Sequence, residues 1–241
     1  MAGILMSAWL AVCISAFSFI LALTSLIVTY RQKRQQDRLS ARKTLSDNID
    51  SLIDISIESS KLPFGKDSTN EAISLRRSLA TRRRFLVKHA MVLAKEIPEL
   101  CNDVDYNVIA SAYDQTYAFE ASEAAWLRCI ELSSDPSARA MNRRGIARFY
   151  FGQGRFEDGR RQYQLSLEDV EGDSDASRRL RADTHAMWSA TELDFGFIEE
   201  AKRRRHLAES ESNRIAGKKS REDMLNFIHS IVFEDIADKN A

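Results

Sequence analysis

The chain has 241 residues, and its 35 Lys and Arg balance 35 Asp and Glu, so bulk charge selects no class of partner. It is 44% hydrophobic and 29% charged, which supports a packed core and argues against a mostly disordered chain. Three prolines and nine glycines are too few for a turn-rich sandwich, and three cysteines without a CxxC pair argue against a disulfide framework or a zinc site.

The first segment, Ile4–Tyr30, contains no charged residue and no His, Asn, Gln, Pro or Gly. As a helix it would run roughly 40 Å, longer than a hydrocarbon core of about 30 Å. The expectation is a single transmembrane helix over residues 1–30. The flank that follows carries Arg31, Lys33, Arg34, Arg38, Arg42 and Lys43 against one acid, Asp37. That asymmetry predicts the N-terminus outside and the helical domain in the cytoplasm, at an inner or plasma membrane. A cleaved signal peptide would carry its positive charge before a shorter apolar core. Ser7, Ala11 and Ser15 lie at four-residue steps and offer a small-residue face for homo-oligomer formation.

Residues 31–65 read as a basic juxtamembrane segment and an amphipathic helix. Leu39, Leu45, Ile49, Leu52, Ile53 and Ile57 form its apolar stripe, and a strand at Ile53–Ile57 is the rival. Pro63 and Gly65 mark a loop. Ser68 and Glu71 read as a capping box, opening a basic helix within residues 66–102. Its expected buried stripe is Leu75, Leu79, Leu86, Ala90, Leu93 and Ile97. Between Glu71 and Glu96 this helix holds Arg76, Arg77, Arg82, Arg83, Arg84, Lys88 and Lys95 and no acid. A solvated face is the plain reading. The sharper one is contact with anionic headgroups, joined by Arg31, Lys33 and Arg34. Nucleic acid fits less well, because no stacking aromatics interleave the arginines.

From residue 103 to 215 the chain repeats. Ile146-Ala147, Phe149-Tyr150, a Gly152-Gln153-Gly154 turn, Phe156, Gly159, Tyr163 and Leu167 make the clearest unit. Ile109-Ala110, Tyr113, Phe119, Ser122, Trp126 and Cys129 run in parallel before it. Trp188, Gly196, Ile198, Ala201 and Ala208 follow it. Small residues at Ala110, Ala147, Gly159 and Ala201 would let helices approach, while Tyr113, Trp126, Tyr150 and Tyr163 fill the grooves between hairpins. The spacing resembles the tetratricopeptide repeat, which implies an all-α solenoid of helical hairpins. Anchoring on Ala110, Ala147 and Ser189 gives steps of 37 and 42, longer than the family period, with Glu171–Ser177 as an insertion. Tyr117 stands where the family prefers glycine. Residues 216–241 read as a capping helix over Ser220–Ala237 and a tail.

The resemblance implies a protein-binding groove lined by the first helix of each hairpin. Position by position it points to Asn107, Ser111 and Asp114, then Arg144, Arg148 and Phe151. The carboxylate clamp of some members is not reproduced. Gly217-Lys-Lys-Ser220 lacks the first glycine of a phosphate loop, and no nucleophile–base, metal or dinucleotide motif appears. The expectation is therefore no enzyme and no cofactor. The chain reads as a membrane-anchored scaffold or adaptor for a protein partner. The alternatives are a lipid- or nucleic-acid-contacting regulator using helix 76–95, and a silent subunit of a membrane complex.

Overall fold

A computed structural model describes residues 2–63 and 68–231, with side chains described from residue 17 onward. Within them the chain forms α1 (Ala2–Ser60), α2 (Asn70–Glu96), α3 (Asp103–Asp114), α4 (Phe119–Leu132), α5 (Pro136–Gly152), α6 (Phe156–Glu168), α7 (Asp175–Asp194), α8 (Ile198–Asn213) and α9 (Lys218–His229). The all-α expectation holds, and the Ile53–Ile57 alternation lies inside α1. Consecutive helices pair as hairpins, α1 with α2, α3 with α4, α5 with α6 and α7 with α8, while α9 rests on α7 and α8.

The transmembrane expectation is corrected. Among the described residues no helix is long and apolar enough to cross a membrane. The described apolar side chains run from Phe17 to Tyr30 and meet Arg31, Lys33 and Arg34 at once. The single-pass assignment, its orientation and the cytoplasmic placement fall with it. Ile4–Ala16, with Ser7, Ala11 and Ser15, lies outside the residues whose side chains are described, as do Gly65 and the tail beyond Ile231.

The three central hairpins share one turn. A residue with positive φ closes each: Tyr117 at 60°, Gly154 at 72° and Gly196 at 83°. Just before it, the last turn of the first helix offers a carbonyl. Tyr113 O accepts from Ala118 N–H at 3.1 Å, Tyr150 O from Arg155 N–H at 2.9 Å and Glu192 O from Phe197 N–H at 2.8 Å. The three turns stand 37 and 42 residues apart, the steps of the small-residue pattern. Hydroxyls also link the helices. Ser122 Oγ donates to Ala110 O at 2.9 Å and Ser189 Oγ to Ala201 O at 2.7 Å, while Ser166 Oγ donates to Ala140 O at 2.8 Å.

Close approach follows from the small residues. Ala110, Ala147 and Ala201 are fully buried. A Cβ on Gly159 would sit 2.4 Å from Phe151 Cδ2. Tyr113, Trp126, Tyr150 and Tyr163 are buried, as the repeat pattern requires. One core runs from Leu45 of α1 to Tyr150 of α5. A second joins Phe151, Tyr163 and Trp188. Tyr163 stacks on Trp188 with ring centroids 5.2 Å apart and planes at 9°. Beneath that stack Glu192 is fully buried, receiving both Nε and Nη2 of Arg160 at 2.8 Å and the Trp188 indole N–H at 2.8 Å.

The first hairpin departs from its expected register. Leu45, Ile49, Leu52 and Ile55 are buried, whereas Leu39, Ile53 and Ile57 are exposed. On α2 the buried line is Ala72, Leu79, Arg83, Val87, Ala90, Leu93 and Ala94, with Ile97 buried just beyond it; Leu79, Ala90, Leu93 and Ile97 were expected there, and Leu75 is turned out. The cap is Thr69, whose hydroxyl accepts from Ala72 N–H at 3.2 Å, while Ser68 Oγ donates to Pro63 O. The helix begins one residue later than the Ser68–Glu71 pattern implies.

The Glu171–Ser177 insertion fastens α9. Asp173 accepts from Arg178, Arg181 and Arg214, and these guanidinium groups hold its carboxyl down to about 2. Asp175 accepts from the backbone N–H groups of Ala216 and Gly217, each at 3.0 Å, at the entry to α9. Two backbone donors just ahead of α9 are thus met from α7. Met224 and Ile228 of α9 then bury against Ala182, Ala186 and Ala208.

Candidate binding groove

The first helices of the three central hairpins, α3, α5 and α7, lay their C-terminal ends side by side around a groove of about 520 Å³. Ser111 and Asp114 of α3 form one wall. Arg148, Phe149 and Gly152 of α5 form the middle, and Thr191, Asp194 and Phe195 close the far side. Trp126 reaches the floor from α4, lying against Gly145. A Cβ on Gly145 would be 2.3 Å from Trp126 Cη2, so only glycine lets the indole pass there.

Most arginines of α5 are paired with carboxylates away from the groove lining. Arg139 and Arg143 of α5 share Asp169, at 2.8 and 2.6 Å, and Arg144 pairs with Asp183 of α7. Arg148, one turn further along α5, is exposed and makes no hydrogen bond or ion pair among the described residues. Burial raises the pKa of Asp114, and the charge of Arg148 opposes that shift. Asp194 is exposed at the opposite rim. The groove therefore offers a free guanidinium between two acids, beside the half-exposed ring of Phe195.

Of the residues expected from the repeat pattern, Ser111, Asp114 and Arg148 line the groove together. The other three do not. Asn107 donates to Asn142 Oδ1 at 2.8 Å, in a network that continues from Asn142 to Ser133 and Asp103. Arg144 is committed to Asp183. Phe151 is fully buried between Phe156, Tyr163 and Phe195. Asp194 was legible: the steps of 37 and 42 carry Gln115 onto Gly152 and then Asp194, and all three border the groove. Trp126 was expected between hairpins; its reach from a second helix to the floor of this groove was not.

The basic residues divide likewise. Arg31, Lys33, Arg34, Arg77, Arg84 and Lys88 are exposed. Arg76 donates to Pro63 O at 2.5 Å. Arg83 is not a surface cation: it is buried, donates to Ser59 Oγ at 3.1 Å, and burial lowers its pKa. Burial also pushes the Cys129 thiol up to about 12, so it carries no thiolate near neutrality. Among the described residues no group of three His, Cys, Asp or Glu is placed to hold a metal ion.

Against known proteins, no family model, no curated protein and no solved structure matches the chain.

Proposed function

We propose that the chain is a scaffold or adaptor of tetratricopeptide-like hairpins that binds an extended protein segment in the α3/α5/α7 groove. The observation that carries this reading is Arg148. It is the one arginine of α5 without a partner among the described residues, and it stands where three successive first helices meet. A segment placing a carboxylate on Arg148 and an apolar side chain against Phe149 and Phe195 would complete the site. Asp114 and Asp194 flank the guanidinium and would disfavour a segment of continuous negative charge.

The test is selection of peptides from a random library on the full chain. Selected peptides should lose about tenfold or more in affinity on Arg148→Glu and on Phe195→Ser, the scale of one charge-assisted hydrogen bond or one apolar anchor. Peptides that bind both variants as tightly as the parent chain would remove the groove from this role.

A further inference from the structure

We infer that α2 carries a second, independent docking face, and that its partner is an anionic lipid surface on which the helix lies flat. The inference stands apart from the groove reading and shares no residue with it.

The starting point is an imbalance in charge pairing. Downstream of residue 120, most arginines of α5 to α8 are tied to carboxylates on their own or neighbouring elements, Arg148 being an exception. On α2 the pattern is reversed. Arg77, Arg82, Arg84, Lys88 and Lys95 are exposed and make no ion pair among the described residues. The excess positive charge of the first hairpin is not neutralised within the fold.

The second observation is apolar. Phe85 is 71% exposed and Val92 53% exposed, on the face of α2 opposite its buried line. Two helical turns separate them, so they lie along one line of the helix. Arg77, Arg84 and Lys88 fall along one flank of that line and Arg82 along the other. An aromatic tip on a ridge, bordered by long cations, fits an interface with phosphate above and hydrocarbon below. The ring and the valine enter the acyl boundary, and the flexible cations stay with the headgroups. Nucleic acid is less well served, because Phe85 is the sole exposed aromatic ring of α2 besides His89, and stacking platforms use several. Contact of this kind needs only one helix face and no crossing segment.

The experiment is co-sedimentation of the full chain with phosphatidylcholine vesicles, with and without phosphatidylserine, over a range of salt. Two variants accompany it: Arg77→Gln/Arg84→Gln/Lys88→Gln and Phe85→Ser/Val92→Ser. All five side chains are exposed, and unchanged far-ultraviolet circular dichroism confirms that each variant folds. Binding should require phosphatidylserine and weaken with salt. The triple variant should lose about a hundredfold or more, at about 1 kcal/mol per cation, and the double variant should also bind more weakly. Equal binding to neutral vesicles would overturn the inference, as would a triple variant that binds like the parent. So would a face that captures single-stranded DNA, with the same sensitivity to the triple variant, but no vesicle. Library-selected groove peptides should bind both variants normally, so failure here leaves the groove reading untouched.

Discussion

Gly145 of α5 lies directly under the Trp126 indole of α4, so close that a single added methyl would stand 2.3 Å from Cη2. Two hairpins meet at that contact, and the same contact forms the groove floor. Gly145→Ala should gain helix propensity of ~1 kcal/mol yet lose more to overpacking, by about 1–3 kcal/mol. The expected net result is a lower urea midpoint. In a Trp126→Leu background, which opens the space, the same substitution should become neutral or stabilising. A double-mutant cycle measures that coupling directly.

Tyr117 holds a left-handed conformation that its counterparts fill with Gly154 and Gly196. Its ring is 76% exposed and touches Phe119 edge-on at 6.0 Å. Little packing is therefore lost on removing it, while the left-handed strain of ~1–2 kcal/mol is relieved. Tyr117→Gly should raise stability by about 1 kcal/mol, less the entropy of the added glycine, read from chemical denaturation.

Glu192 is buried with its charge met by Arg160 on both oxygens. Arg160→Leu would leave that carboxylate without a cation beside Trp188, and should cost about 3–5 kcal/mol. Adding Glu192→Leu should recover most of the loss, because two apolar groups replace a pair that is costly to desolvate. Thermal melts of the single and double variants decide the matter.

His185 sits buried in α7 with Nδ1 unpartnered, and burial together with Arg204, Arg181 and Arg203 lowers its pKa from 6.5 to about 4. The folded chain thus resists a proton that the unfolded chain accepts. Above pH 6.5 neither state is protonated and no penalty exists. As pH falls from about 6.5 to about 4 the unfolded state gains stability, by about 3 kcal/mol in all. His185→Leu should flatten the stability profile over that window. A parent chain equally stable at pH 7 and pH 4.5 would contradict this.

How much could be read beforehand differs between the two ends of the described chain. From Asp103 onward, aromatic and small residues alternate at fixed steps, and the hairpins, their turns and half of the expected groove residues follow from that spacing. Phe151 shows where spacing stops. It is the counterpart of Asp114, 37 residues on, yet it turns into the core because Gly159 leaves room for its ring. Arg144 was spoken for by Asp183, an acid on a helix whose register the weak third unit left open. In the first hairpin, Arg83 occupies a core position that periodicity assigns to a hydrophobe, and no pattern of types anticipates its bond to Ser59. The apolar run at the start reads as a span by composition. Among the described residues no helix is both long and apolar enough to be one.

The clamp made by Asp173 and Asp175 bears on how such a chain can grow. The first two central hairpins follow one another at a plain step of 37 residues. The third is different. Its extra residues direct their carboxylates to Arg214 and to the entry to α9, so this hairpin is tied to α9. A further hairpin spliced in after Asn213 would have to break those bonds first. The third hairpin and α9 are thus joined by polar bonds as well as by apolar packing.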